Sequence, residues 1–176
     1  MCVLWKKILL GLMISFSLLG CKSSLKEKDL LSTEEKQNAD FSVKITSFRE
    51  RRAFAQSLAG AYYIFEVKTK KEQDWREIMS VEYDDPVPID KNSISFVNEK
   101  VGFVFLIKKY AFTTDGGVTW KVWDLSKSSS VEIDPSCRIR NVKIKEKGKG
   151  LMNLKCNNTN KVLITNDYGI SWKNEE

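Results

Sequence analysis

Thr113-Thr114-Asp115-Gly116-Gly117-Val118-Thr119-Trp120 returns later in the chain as Thr165-Asn166-Asp167-Tyr168-Gly169-Ile170-Ser171-Trp172. Both copies read Thr-x-Asp-x-Gly-x-(Ser/Thr)-Trp, and their tryptophans stand 52 residues apart. A phrase recurring at that interval marks stacked supersecondary modules. Each position has a turn-making task. Asp115 is a short carboxylate at the start of a turn, where it can accept from backbone N–H groups just ahead of it. Gly117 supplies a backbone angle that side chains resist. Thr113 and Thr119 offer hydroxyls across the turn, and Trp120 can lay its ring beneath it, burying on the order of 200 Å². Asp167, Gly169, Thr165, Ser171 and Trp172 repeat these roles one for one.

The surrounding chain reads as short strands. Ser93–Val97, Val101–Leu106, Tyr110–Thr113 and Val118–Trp123 form one predicted module, with turns at Asn98-Glu99-Lys100, Lys108-Lys109 and Asp115-Gly116-Gly117. Val101–Leu106 is almost continuously apolar, so it should be buried on both faces. A second module repeats the layout near 139–145, 150–156, 161–165 and 170–173. A degenerate first copy precedes both: Phe41, Val43 and Ile45 alternate with polar residues as in a half-buried strand, and Tyr62–Val67 is strand-like. The stretch Lys68–Trp75 has the length of the phrase but keeps only its tryptophan. Arg49–Ala59 favours a short helix by composition, and Tyr83–Asp90, with Pro86 and Pro88, reads as a loop between modules.

The two octads resemble Asp-boxes, the hairpin motifs of sialidases, sortilin-type propellers and photosystem-assembly propellers. That resemblance implies an all-β fold and a structural role for Asp115 and Asp167 at the periphery of a blade. It also implies a β-propeller, whose usual blade count is about four to eight. The chain has length for fewer, so the expectation is an incomplete β-propeller-like array of about three four-stranded antiparallel sheets.

Residues 1–20 have the layout of a signal peptide: basic Lys6 and Lys7, then a short apolar run that is brief for a bilayer span. The run closes on Leu18-Leu19-Gly20-Cys21, which resembles the bacterial lipobox. The resemblance implies cleavage before Cys21 and its acylation, with the lipid bilayer as the first partner. Two acyl chains anchor stably where one does not. Lys22 after the cysteine points to the outer membrane, facing the periplasm, if the envelope is Gram-negative. Residues 21–40 then form the lipidated cysteine and a flexible tether, and residues 41–176 the Asp-box β domain.

Cys137 and Cys156 remain after Cys2 leaves with the signal and Cys21 takes lipid. In an oxidising compartment they are expected to pair. A hairpin centred between Glu146 and Lys147 places them opposite each other, closing a loop worth roughly 3 kcal/mol. With no histidine in the chain, two cysteines are half a zinc site at most, and neither a metal nor a cofactor is expected.

The chain carries 29 basic and 23 acidic residues, and loss of Lys6 and Lys7 lowers the excess from six to four. A mild, dispersed excess on an exported protein does not suit nucleic acid. A sialidase-type site needs an arginine cluster, a tyrosine–glutamate pair and an acidic proton donor on a complete ring. Arg49, Arg51, Arg52, Arg76, Arg138 and Arg140 fall in no recurrent position, and the usual hydrolase base is missing. No catalytic residue is therefore assigned. The expected function is protein binding: an immunity lipoprotein against a periplasmic toxin, or an envelope assembly factor, with a carbohydrate-binding or sialidase-like protein as the alternative. Candidate contacts are Arg49, Arg51, Arg52 and Phe54, and the acidic loop of Asp84, Asp85 and Asp90.

Overall fold

The run from Val101 to Leu106 decides the layering. Every residue in it is buried. In the computed structural model, which describes residues 28–50, 60–127 and 131–175, this run supplies β6 (Gly102–Leu106) of a middle sheet. That sheet is ordered β5 (Ile94–Phe96), β6, β7 (Lys109–Thr113), β8 (Lys121–Asp124). A first sheet precedes it, ordered β1 (Lys28–Gln37), β2 (Phe41–Glu50), β3 (Ala61–Thr69), β4 (Arg76–Tyr83). A last sheet follows, from β9 (Arg138–Ile144) through β10 (Gly150–Lys155) and β11 (Asn160–Thr165) to β12 (Lys173–Asn174). All neighbouring strands are antiparallel. The fold is thus an incomplete propeller-like array of three four-stranded sheets.

Two hydrophobic cores hold the array together, and alternation along β6 and β7 separates them. Val104, Leu106 and Ala111 pack with Phe41, Val43, Ile45, Tyr63, Phe65 and Val67 of the first sheet. Phe103, Phe105, Tyr110 and Phe112 pack with Ile139, Val142, Met152, Leu154, Leu163 and Trp172 of the last. Side chains at successive positions of a strand point to opposite faces, so one strand serves both cores. Each fully buried side chain of this kind is worth about 1.5–3 kcal/mol relative to exposure.

The first sheet corrects the expected tether over 21–40. Lys28–Gln37 forms β1, paired with β2 along its length. Apolar periodicity could not reveal it, because Leu30 and Leu31 are exposed and nothing else in the strand is large and apolar. Polar bonds seat it instead: Ser32 Oγ meets Ser47 Oγ at 2.7 Å, and Lys36 Nζ donates to Ile94 O at 2.9 Å. The β domain therefore begins by residue 28 rather than 41. The expected helix over Arg49–Ala59 also differs at its start, since Arg49 and Glu50 end β2. The rest of it, with Arg51, Arg52 and Phe54, lies outside the described residues, as does Cys21. In the middle sheet, Val118–Trp120 bends before β8 starts, and the β6–β7 turn falls at Ile107 and Lys108.

Cys137 and Cys156 form a disulfide across the open end of the β9–β10 hairpin. The pairing agrees with expectation, but the register that makes it has two parts. From Gly150↔Ile144 to Asn153↔Asn141 the hairpin centres on Lys147, and a bulge at Arg140 then shifts the pairing to Leu154↔Ile139 and Lys155↔Arg138. The extra residue lets Ile139 and Val142, three apart, both face the core. Without it the cysteines would miss each other by one position.

Candidate functional site

The octads fold as paired networks. Thr113 Oγ1 donates to Asp115 Oδ1 at 2.8 Å and accepts from Gly117 N at 3.1 Å. Asp115 accepts from Thr119 N at 3.0 Å through Oδ1 and from Thr119 Oγ1 at 2.5 Å through Oδ2. In the second copy Thr165 Oγ1 donates to Asp167 Oδ1 at 2.6 Å and accepts from Gly169 N at 3.0 Å. Ser171 N and Ser171 Oγ donate to Asp167 at 3.0 and 2.6 Å. Both carboxylates are thus engaged with their own turns.

The octads also join neighbouring sheets. Trp120 meets Phe41 of the first sheet edge-on, ring centroids 6.1 Å apart, and Trp172 meets Tyr110 of the middle sheet at 5.7 Å. The glycines close the same contacts. A Cβ on Gly117 would lie 2.9 Å from the Phe41 ring, and one on Gly169 would overlap Tyr110 Oη. Both glycines have positive φ, 83° and 86°. Gly169→Ala is therefore expected to cost about 2–4 kcal/mol, combining overpacking with backbone strain. Gly116→Ala, at φ 75° but with open space around it, should cost about 1 kcal/mol. Urea unfolding of the two variants checks the difference.

Electrostatics follow from these bonds. Burial pushes the Asp115 and Asp167 carboxyls up, but the bonds from Thr119 and Thr113, and from Ser171 and Thr165, outweigh it and hold both below the ordinary value of 3.8. At Asp124, burial is likewise outweighed by Lys109, 2.5 Å away, and by Ser126, bringing it to about 2. Folded-state values below those of the unfolded chain mean that the unfolded state takes up more protons as pH falls. Stability from these groups is complete above about pH 5 and is lost between the ordinary 3.8 and the folded value, about 2 for Asp124. The urea midpoint should hold steady from neutral pH to about 5 and drop below 4, less steeply in Asp115→Asn and Asp167→Asn.

The degenerate first octad has a different chemistry. Glu72 stands in for the aspartate, accepting from Thr69 N at 2.9 Å and Arg76 Nε at 3.2 Å. Trp75 packs under Lys44, whose Nζ lies 4.2 Å from the ring centroid.

A cleft of about 890 Å³ opens among the links between sheets. Tyr83 enters it from the end of β4, Asp84 and Asp85 from the link that follows, Ile107 and Lys108 from the β6–β7 turn, and Arg138, Arg140 and Lys155 from the last sheet. A second lobe of about 370 Å³ shares Arg138, Arg140 and Ile107 and adds Asp90. Ile107 forms the corner with φ 50°, a conformation a β-branched residue seldom adopts. Two bonds hold it: Ile139 N donates to Ile107 O at 2.6 Å, and Tyr83 Oη donates to Leu106 O at 3.3 Å. Burial pushes the Tyr83 phenol up to about 12, so it remains a neutral donor at physiological pH. Lys108 Nζ is held by Pro135 O at 2.6 Å. Arg138 and Arg140 are exposed, and among the described residues neither side chain makes a hydrogen bond or an ion pair.

The cleft therefore gathers the acidic loop named from the sequence, Asp84, Asp85 and Asp90, with two arginines that sequence reasoning set aside as non-recurrent. Their signal was local: Arg-x-Arg at the start of a strand, beside a half-cystine, where a bulge re-aims a side chain. Of the other candidate contacts, only Arg49 is described; it lies at the same end of the first sheet as Tyr83, two strands away through the pairs Arg49↔Ala61 and Ala61↔Tyr83. Among the described residues no group of three or more metal-ligating side chains comes together. Compared with known proteins, the chain matches no family model, no curated protein and no solved structure.

Proposed function

We propose that the chain is a bacterial envelope lipoprotein, anchored through Cys21, whose β array is a non-catalytic module that binds an acidic segment of another protein. The binding site is the cleft between the sheets. One observation carries this reading: Arg138 and Arg140 enter that cleft without a carboxylate partner, beside Lys155, on a strand braced by the Cys137–Cys156 bond. A guanidinium held ready on a rigid strand suits carboxylate recognition through paired N–H donors. Asp84 and Asp85 on the opposite wall supply the reverse charge, which orients an incoming segment and rejects a uniformly acidic one.

The test is crosslinking and pull-down from whole cells with the lipidated, tagged full chain, beside the variant Arg138→Glu/Arg140→Glu. A single stoichiometric partner should be recovered with the parent chain and fall roughly ten-fold or more with the variant, and added salt should weaken the parent complex. An undiminished yield with the variant would remove the cleft from the binding reaction. Cleavage of a glycoside or peptide by the purified protein would overturn the non-catalytic reading. A toxin as partner makes the chain an immunity protein, and a resident membrane complex makes it an assembly factor.

A further inference from the structure

The three sheets repeat one direction. Arg76, which follows Trp75, sits opposite Val67 on the face that meets the middle sheet, and it donates to Gly117 O and Val118 O at 2.9 and 3.0 Å. Lys121, which follows Trp120, sits opposite Phe112 on the face that meets the last sheet. Lys173, which follows Trp172, sits opposite Ile164 on the remaining face of the last sheet. No described sheet covers that face. The tryptophans reach the other way, Trp120 to Phe41 and Trp172 to Tyr110. Trp75 accordingly turns to the back of the first sheet, where Lys44 lies over it.

The front of the last sheet and the back of the first are complementary. Across the front runs Lys143, Leu151, Ile164, Lys173, two half-buried aliphatic residues between two exposed lysines. Across the back runs Glu35, Lys44, Glu66, Glu77, beside a row centred on half-buried Ile64. Lys44 and Glu66 neutralise each other at 2.9 Å, which leaves the outer carboxylates of Glu35 and Glu77. These faces are more polar than the aromatic and aliphatic faces inside the array, as befits a reversible contact.

We propose that two copies of this chain close on each other about a two-fold axis, the front of each last sheet stacking on the back of the partner's first sheet. The product is a ring of six sheets, within the range of about four to eight found for closed propellers. Trp75 then gains the stacking contact that Trp120 and Trp172 already have, and Lys173 reaches the octad turn, where Glu72 and Asp74 stand among Lys68, Lys70 and Lys71. This inference does not depend on the proposed cleft partner.

The test co-produces two differently tagged full chains in one bacterial host, extracts them in mild detergent, and reads co-purification and the protein mass of the complex. The parent chain should give complexes of two chains. Glu35→Lys/Glu77→Lys and Lys143→Glu/Lys173→Glu should each lose self-association about ten-fold or more. Mixing the two variants should restore it, since the one altered interface regains opposite charges and the other is the parent interface. Because a misfolded variant could not be rescued by charges on another copy, the mixed pair is also the folding control. A single-chain parent, a ladder beyond two chains, variants that still self-associate, or a mixed pair that stays apart would each overturn the proposal.

Discussion

Replacing Trp172 by alanine is expected to cost about 3–5 kcal/mol. Its ring is 3% exposed, fills the core between the middle and last sheets, and stands edge-on to Tyr110. The same change at Trp120 should cost less than half as much, because that ring is half-buried at the rim and its indole donates to Gly117 O at 3.2 Å, a bond that solvent can replace. Urea unfolding followed by near-UV circular dichroism measures both. Equal losses would mean that the two octads carry equal shares of the inter-sheet contact, contrary to their burial.

The second large effect belongs to the disulfide. The double variant Cys137→Ser/Cys156→Ser, which avoids an unpaired thiol, should lose about 3 kcal/mol, the chain-entropy value for a loop of this length. Reductant should reproduce the shift in the parent chain and leave the variant unchanged. The loss extends to the cleft. Arg138 follows one cysteine and Lys155 precedes the other, so loosening this hairpin end frees both cations from a fixed spacing. Partner capture should weaken in the double variant even at temperatures where the array stays folded. Unchanged stability would show that the β9–β10 ladder alone sets the geometry.

Much of this fold was legible because its signals were strong and local. The octads fixed two hairpins, the apolar run at Val101–Leu106 announced a strand covered on both sides, and glycine-rich turns spaced the rest. β1 was illegible because an edge strand held by backbone pairing and by Ser32 and Lys36 needs no apolar alternation. A straight ladder centred between Glu146 and Lys147 also pairs Cys137 with Cys156, whereas the chain uses a bulge at Arg140. Bulges leave no periodic trace. The cleft was half legible: the acids of the proline-rich link stood out, but Arg138 and Arg140 acquire meaning only when three separate connections converge on them.

The middle sheet has one more consequence, for the order in which the molecule is made. A chain that emerges amino end first completes the first two sheets before the last has appeared. The first pair can bury Val104, Leu106 and Ala111 at once. Phe103, Phe105, Tyr110 and Phe112 have no such cover until Met152, Leu154, Leu163 and Trp172 arrive. During that interval the nascent protein displays an aromatic stripe of the kind that escort chaperones hold, and any mutation delaying the carboxyl end lengthens its exposure.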